Sequence, residues 1–149
     1  MPQASSTGLL VSPPFQIFAI CGVVLTLKIL ALSFYTVWVR MRDRSYSTPE
    51  DRAMMKVPER GPHPLVERIH RAQRNDLENI LPFFTIGLIY ALGGASLRGA
   101  QVYFFTFTIA RILHSWFFLA GLQPWRFISW MLGVACLLGM MAQILIKVF

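Results

Sequence analysis

Four apolar runs, at residues 15–39, 79–97, 99–122 and 127–149, leave this chain little choice of fold. Each is close to or above the roughly 20 residues that an α-helix needs to cross the hydrocarbon of a bilayer. They are too long for strands and lack two-residue alternation, which argues against a membrane β-barrel. In hydrocarbon every backbone N–H and C=O needs a partner within the protein, and a helix supplies those partners from its own chain. For 149 residues that are 55% hydrophobic, with a mean hydropathy of +0.53, the reading is one all-α integral membrane domain. The first run has no basic residue before it and is too long for a signal-peptide core, so it is expected to remain as a span. The connections at residues 93–99 and 120–124 are short, which makes neighbouring spans antiparallel and predicts an up-down-up-down four-helix bundle.

A net charge of +7 invites a nucleic-acid reading, but the placement of the bases argues for topology instead. Arg40, Arg42, Arg44, Arg52, Lys56, Arg60, Arg68, Arg71, Arg74 and Arg126 cluster in or beside the first and third connections, against only Arg98 and Lys147 on the other side. By the positive-inside rule the loop at residues 41–64 faces the cytoplasm and both termini face the lumen, the first 14 residues forming a short lumenal tail. Within that loop Thr48, Pro49, Glu50 and Asp51 read as a helix start, with threonine as N-cap, proline in the first turn and carboxylates at the positive end of the dipole. Asp51 is therefore read first as a cap residue, and as a functional carboxylate only second. Cys21 and Cys136 lie inside spans with no CxxC spacing, and His63, His70 and His114 are scattered, so no metal site is expected.

Residues 67–84 carry a dense set of charges directly into the second apolar run, as a cytoplasmic helical extension from about residue 65. At about 100° per residue, Glu67, Arg71, Arg74 and Glu78 fall within roughly a 60° arc, with Asn75 at its edge. Charge is costly in hydrocarbon, so this face is read as a polar site rather than as a solvated stripe beside lipid headgroups. Pro82 sharpens that reading, because it cannot donate to the carbonyl of Glu78. Arg111, His114, Ser115 and Phe118 share an arc of roughly 100° on the third span, at the depth of Arg40 and Arg126. Lys28, near the middle of the first span, needs an acid such as Glu78 or Asp76 from a neighbouring helix, or must reach to an interface.

The wording of these segments resembles a family. ER-x2-RA-x-RND-x-EN-x-LPF at residues 67–83, with LKIL at 27–30, VRMR at 39–42, TPED at 48–51, ARILHS at 110–115 and QPWR at 123–126, is similar to the membrane-associated proteins in eicosanoid and glutathione metabolism (MAPEG). That group includes microsomal glutathione transferases and a prostaglandin E synthase. The resemblance implies a homotrimer with sites between subunits, in the endoplasmic reticulum membrane or alternatively the mitochondrial outer membrane. It implies glutathione as co-substrate, with a hydrophobic electrophile or lipid, possessing no tie to nucleic acid, as the second partner. Arg40, Arg71, Arg74 and His114 would hold the glutathione carboxylates, Glu78 its ammonium group, and Asn75 would donate and accept; Arg126 would stabilise the thiolate. The prostaglandin E synthase pattern has hydroxyls where this chain has Phe118, Phe127 and Trp130, which favours glutathione S-transferase chemistry, with peroxide reduction as an addition. Prostaglandin E synthase activity and a non-catalytic lipid-binding scaffold are the alternatives.

Overall fold

The computed structural model describes residues 12–59 and 61–149; the N-terminal tail and Arg60 lie outside them. Five helices follow one another: α1 (Pro13–Arg42), α2 (Pro49–Met55), α3 (Pro64–Leu92), α4 (Leu97–Ala120) and α5 (Gln123–Val148). No strand occurs among the described residues. Three of the helices, α1, α4 and α5, are long and apolar enough to cross a membrane. The fourth long helix, α3, carries too many charges in its first half to meet the same description.

Local sequence explains most of the boundaries. The Thr48 hydroxyl accepts a hydrogen bond from the Asp51 amide at 3.3 Å, and Pro49 opens α2, as the sequence predicts. Ser96 caps α4 in the same way, accepting from the Gly99 amide at 3.1 Å. This moves the start of α4 to Leu97 and the end of α3 to Leu92, so the turn is shorter than the sequence suggests. α5 begins at Gln123 rather than at residue 127, because Pro124 fits a first turn where no N–H is needed. Gly121, at φ +75, ends α4 in the left-handed conformation, its amide and that of Leu122 closing on the carbonyls of Phe118 and Phe117. α3 runs unbroken through Pro82.

The long helices pack in two zones. In the half nearer the Gly93 turn, Phe83 stacks on Phe107 at 4.4 Å between ring centroids and meets Phe104 edge-on, while Phe18 of α1 packs against Phe83, Phe84 and Phe104. A Cβ on Gly87 would lie 2.9 Å from the Phe18 ring, so glycine is what lets α1 approach α3 here. Tyr90 donates to Gln143 Oε1 at 2.6 Å, and Gln143 Nε2 donates to the Tyr103 hydroxyl at 3.0 Å, satisfying polar groups that α3, α4 and α5 bring inside. Lys147 finishes this end by donating to the carbonyls of Gly93 and Gly94. Towards the opposite end a smaller cluster of Leu32, Val39, Val66 and Ile69 joins α1 to α3. Beyond it Asp43 receives both Arg42, at 2.7 Å, and His63, at 3.1 Å; the Arg42 guanidinium holds the Asp43 carboxyl below its usual range.

Candidate functional site

Between the two apolar zones lies a buried ionic cluster. Asp76 of α3 and Arg111 of α4 are both fully excluded from solvent. Arg111 Nη2 donates to Asp76 Oδ1 at 2.8 Å and to Asn75 Oδ1 at 2.7 Å. Ser115 Oγ donates to Asp76 Oδ2 at 3.1 Å, and the Lys28 ammonium of α1 is ion-paired to Asp76 Oδ1. Helix rise brings these residues to one level: Asp76 lies about 24 Å along α3 from Leu92, Arg111 about 21 Å along α4 from Leu97, and Lys28 about 22 Å along α1 from Pro13. One carboxylate thus meets two cations and a hydroxyl, leaving a net positive charge at a depth where charge needs a partner.

Asp76 is the acid that answers Lys28, of the two the sequence left open. It lies about 180° around α3 from Glu67, on the opposite face from the charged stripe. Sequence reasoning did not include Asp76 or Arg111 among the site residues. A signal was present: Val66, Ile69, Ala72, Asp76, Ile80, Phe83, Gly87 and Tyr90 recur at helical spacing, so Asp76 is the one acid in the apolar stripe that α3 buries.

The expected site residues fall into separate groups. Asn75, His114 and Arg126 line one cleft of about 210 Å³, together with Phe118, Gln123, Phe127 and Trp130. His114 is buried; its Nδ1–H donates to the Arg126 carbonyl at 3.0 Å, and Ser129 Oγ donates to the same oxygen at 3.0 Å. The link runs from α4 to the backbone of the first turn of α5, so it fixes the helix start that presents the Arg126 side chain. The Arg126 guanidinium lies over the Phe118 ring, 4.7 Å from its centroid, in a cation–π contact. It also lines an adjoining cleft of about 370 Å³ with Arg68, Arg71 and Gly121, and Arg68 Nη1 ties α3 to α4 by donating to the Leu119 carbonyl at 3.1 Å. Arg71 reaches back to Glu67, 3.5 Å away.

Arg40 lies elsewhere, in a cavity lined by Arg52, His63, Glu67 and His70, near the start of α3. Arg74 and Glu78 are exposed on the outer face of α3 and line neither Arg126 cleft. Within one chain, then, Arg71 of the α3 stripe shares a cleft with Arg126, whereas Arg74 and Glu78 do not reach it.

A model of the MAPEG family matches residues 18–146. Among curated proteins the chain is 35% identical to microsomal glutathione S-transferase 1 of Sus scrofa, covering 96% of each chain. It is 36% identical to the protein of that name from Rattus norvegicus over 86% of each, and 32% identical to prostaglandin E synthase of Homo sapiens over 90% of each.

Proposed function

The chain belongs to the MAPEG family, and from that premise we propose that it is a glutathione S-transferase acting within a membrane on hydrophobic electrophiles. The observation that carries the reading is the cleft where Arg126, presented by the first turn of α5, meets Asn75, His114 and the apolar side chains of Phe118, Phe127 and Trp130. A guanidinium beside an apolar wall suits an anionic sulfur meeting a greasy partner. An ordinary thiol, with a pKa near 8.5, is mostly protonated at neutral pH, and only the thiolate is a competent nucleophile. Arg126 would stabilise that thiolate, aided by the positive end of α5. The sulfur lone pair then forms a C–S bond to the electrophilic carbon, and the leaving group departs with the bonding electrons.

The ligand's carboxylates call for the arginines of α3, with Glu78 taking its ammonium group. One copy offers beside Arg126 a cleft of about 210 Å³ and an adjoining one of about 370 Å³, at or below the low end of the roughly 300–1,000 Å³ of ordinary ligand pockets. Arg74 and Glu78 point away from both. A second copy seated on the α3 stripe would bring those groups and Arg40 towards a neighbour's Arg126, which supports a homotrimer with sites between subunits. In this reading α3 is the fourth span of a single four-helix membrane domain. Its part from about Asn75 to Leu92, with Asp76 paired to Lys28, lies in the bilayer, and its first turns rise with α2 above the cytoplasmic face. The termini are lumenal, and the endoplasmic reticulum is the membrane.

The second reading is prostaglandin E synthase, favoured by the likeness to relatives of that name. The side chains at Phe118, Phe127 and Trp130, with no hydroxyl among them, favour the transferase. A paired assay on one purified preparation tests the choice: aryl-halide conjugation and endoperoxide isomerisation, both with glutathione. Conjugation without isomerisation is expected; the reverse would make the second reading the function, and neither reaction despite tight lipid binding would leave a scaffold.

A further inference from the structure

We propose that Arg111, held by an Asp76 that Lys28 and Ser115 hold in turn, is a positioning residue that makes Asn75 a dedicated hydrogen-bond donor to the ligand. A guanidinium carries five N–H groups and no acceptor. It only donates, so the Asn75 atom facing Arg111 Nη2 at 2.7 Å must be the amide oxygen. The two N–H bonds of Nη2 are then both used, one on Asn75 and one on Asp76. Asp76 cannot release Arg111 cheaply, since it is itself held from three sides, by Arg111, Ser115 and Lys28. With its oxygen turned inward, Asn75 keeps its amide nitrogen for the cleft it lines with His114 and Arg126. The ligand group that meets Asn75 is therefore an acceptor, a peptide carbonyl or a carboxylate, and not an ammonium. The positioning role refines the glutathione reading and takes its ligand from it.

Two measurements on the full-length protein in lipid nanodiscs separate the positioning role from the choice of ligand. The chain has two asparagines, Asn75 and Asn79, so selective ¹⁵N-asparagine labelling gives two side-chain amide signals, and Asn75→Asp assigns them by removing one. Asn79, whose Nδ2 donates to the backbone carbonyl of Asn75 at 2.7 Å, is the internal reference. In Arg111→Gln, and more mildly in Lys28→Met should the first fail to fold, the Asn75 amide signal is expected to move while that of Asn79 stays. An unmoved Asn75 signal overturns the positioning role whether or not glutathione binds. The second measurement is glutathione affinity in a double-mutant cycle. Arg111→Gln is expected to weaken binding about tenfold in the parent and less than twofold in an Asn75→Ala background, because its effect passes through Asn75. Equal losses in both backgrounds refute the role, since general loosening would act regardless of Asn75. A parent that binds no glutathione refutes the functional reading and leaves the amide signal to decide the positioning.

Discussion

Arg126 is the residue on which the transferase reading is most exposed to test, and Arg126→Leu is the perturbation that tests it. The substitution is unusually clean, because the contacts that fix the start of α5 use the Arg126 backbone carbonyl, which accepts from His114 and Ser129 whatever the side chain. What is lost is the guanidinium over Phe118. If that charge lowers the bound thiol from about 8.5 to about 6.5, it supplies roughly 2.7 kcal/mol of preference for the thiolate. Two charges about 4 Å apart interact by about 4 kcal/mol at an effective dielectric near 20, so one guanidinium in a half-buried site is enough. At pH 7 the thiolate fraction would fall from about three-quarters to about 3%, a loss in conjugation rate of roughly 25-fold. The sign follows from the direction of the shift: a depressed thiol pKa favours the anion above the depressed value, so the deficit shrinks as pH rises towards 9. Thiolate absorbance at the ultraviolet edge, titrated at saturating glutathione, reads the midpoint directly. An unchanged midpoint in Arg126→Leu would refute the thiolate role and leave Arg126 as an anchor for the helix start.

Other expectations follow from the same placement. Arg74→Ala and Glu78→Gln, both on the exposed face of α3, should each weaken glutathione binding by about 1.5–3 kcal/mol by calorimetry, the cost of a lost charge-assisted bond, without altering the melting temperature of the subunit; unchanged affinity would remove the stripe from the site. Asp76→Ala strands Lys28 and Arg111 as buried cations and should cost about 3–5 kcal/mol of stability. The combined Lys28→Met, Asp76→Leu, Arg111→Met protein should be less destabilised than Asp76→Ala alone in chemical unfolding, and the reverse order would show that the charges are not what the fold must satisfy. A cysteine at Ser47 should react with an impermeant thiol reagent only from the cytoplasmic side of sealed microsomes, and one at Ser96 only from the lumenal side; the opposite pattern overturns the orientation.

The sequence was readable where a residue's role depends on its neighbours along the chain. Thr48 and Pro49 announce α2, the apolar runs announce long helices, of which three are apolar enough to cross a membrane, and the charges on α3 can be put on one face by counting. It was less readable where the role depends on which face turns inward. The helical period fixes the angle between Glu78 and Asp76 but not which of them meets Lys28, and only packing against α1 and α4 puts Asp76 inside. Arg111 shows the same limit: its face was legible beside His114 and Ser115, its full burial was not. Arg71 shares a cleft with Arg126 within the chain, but convergence of Arg74 and Glu78 on Arg126 was inferred from a likeness across chains, and no helical count within a single chain could supply it. The early end of α3 at Leu92 turned on Gly93 and the Ser96 cap, small signals inside an apolar stretch that hydropathy averages away.

The ties that Lys147 makes to Gly93 and Gly94 give the molecule a closed end and a working end. The last turn of α5 is stitched to the turn between α3 and α4, and the Tyr90, Gln143 and Tyr103 bonds lock the same three helices just above it. The clefts described here all lie at the other end. At that end α4 and α5 are joined by the turn at Gly121 and Leu122, Arg68 ties α3 to α4, and His114 holds the start of α5, so these three helices are braced at both ends. A chain cut back before Lys147 would lose the clasp on the turn between α3 and α4 and leave the far end held by the Tyr90, Gln143 and Tyr103 bonds alone.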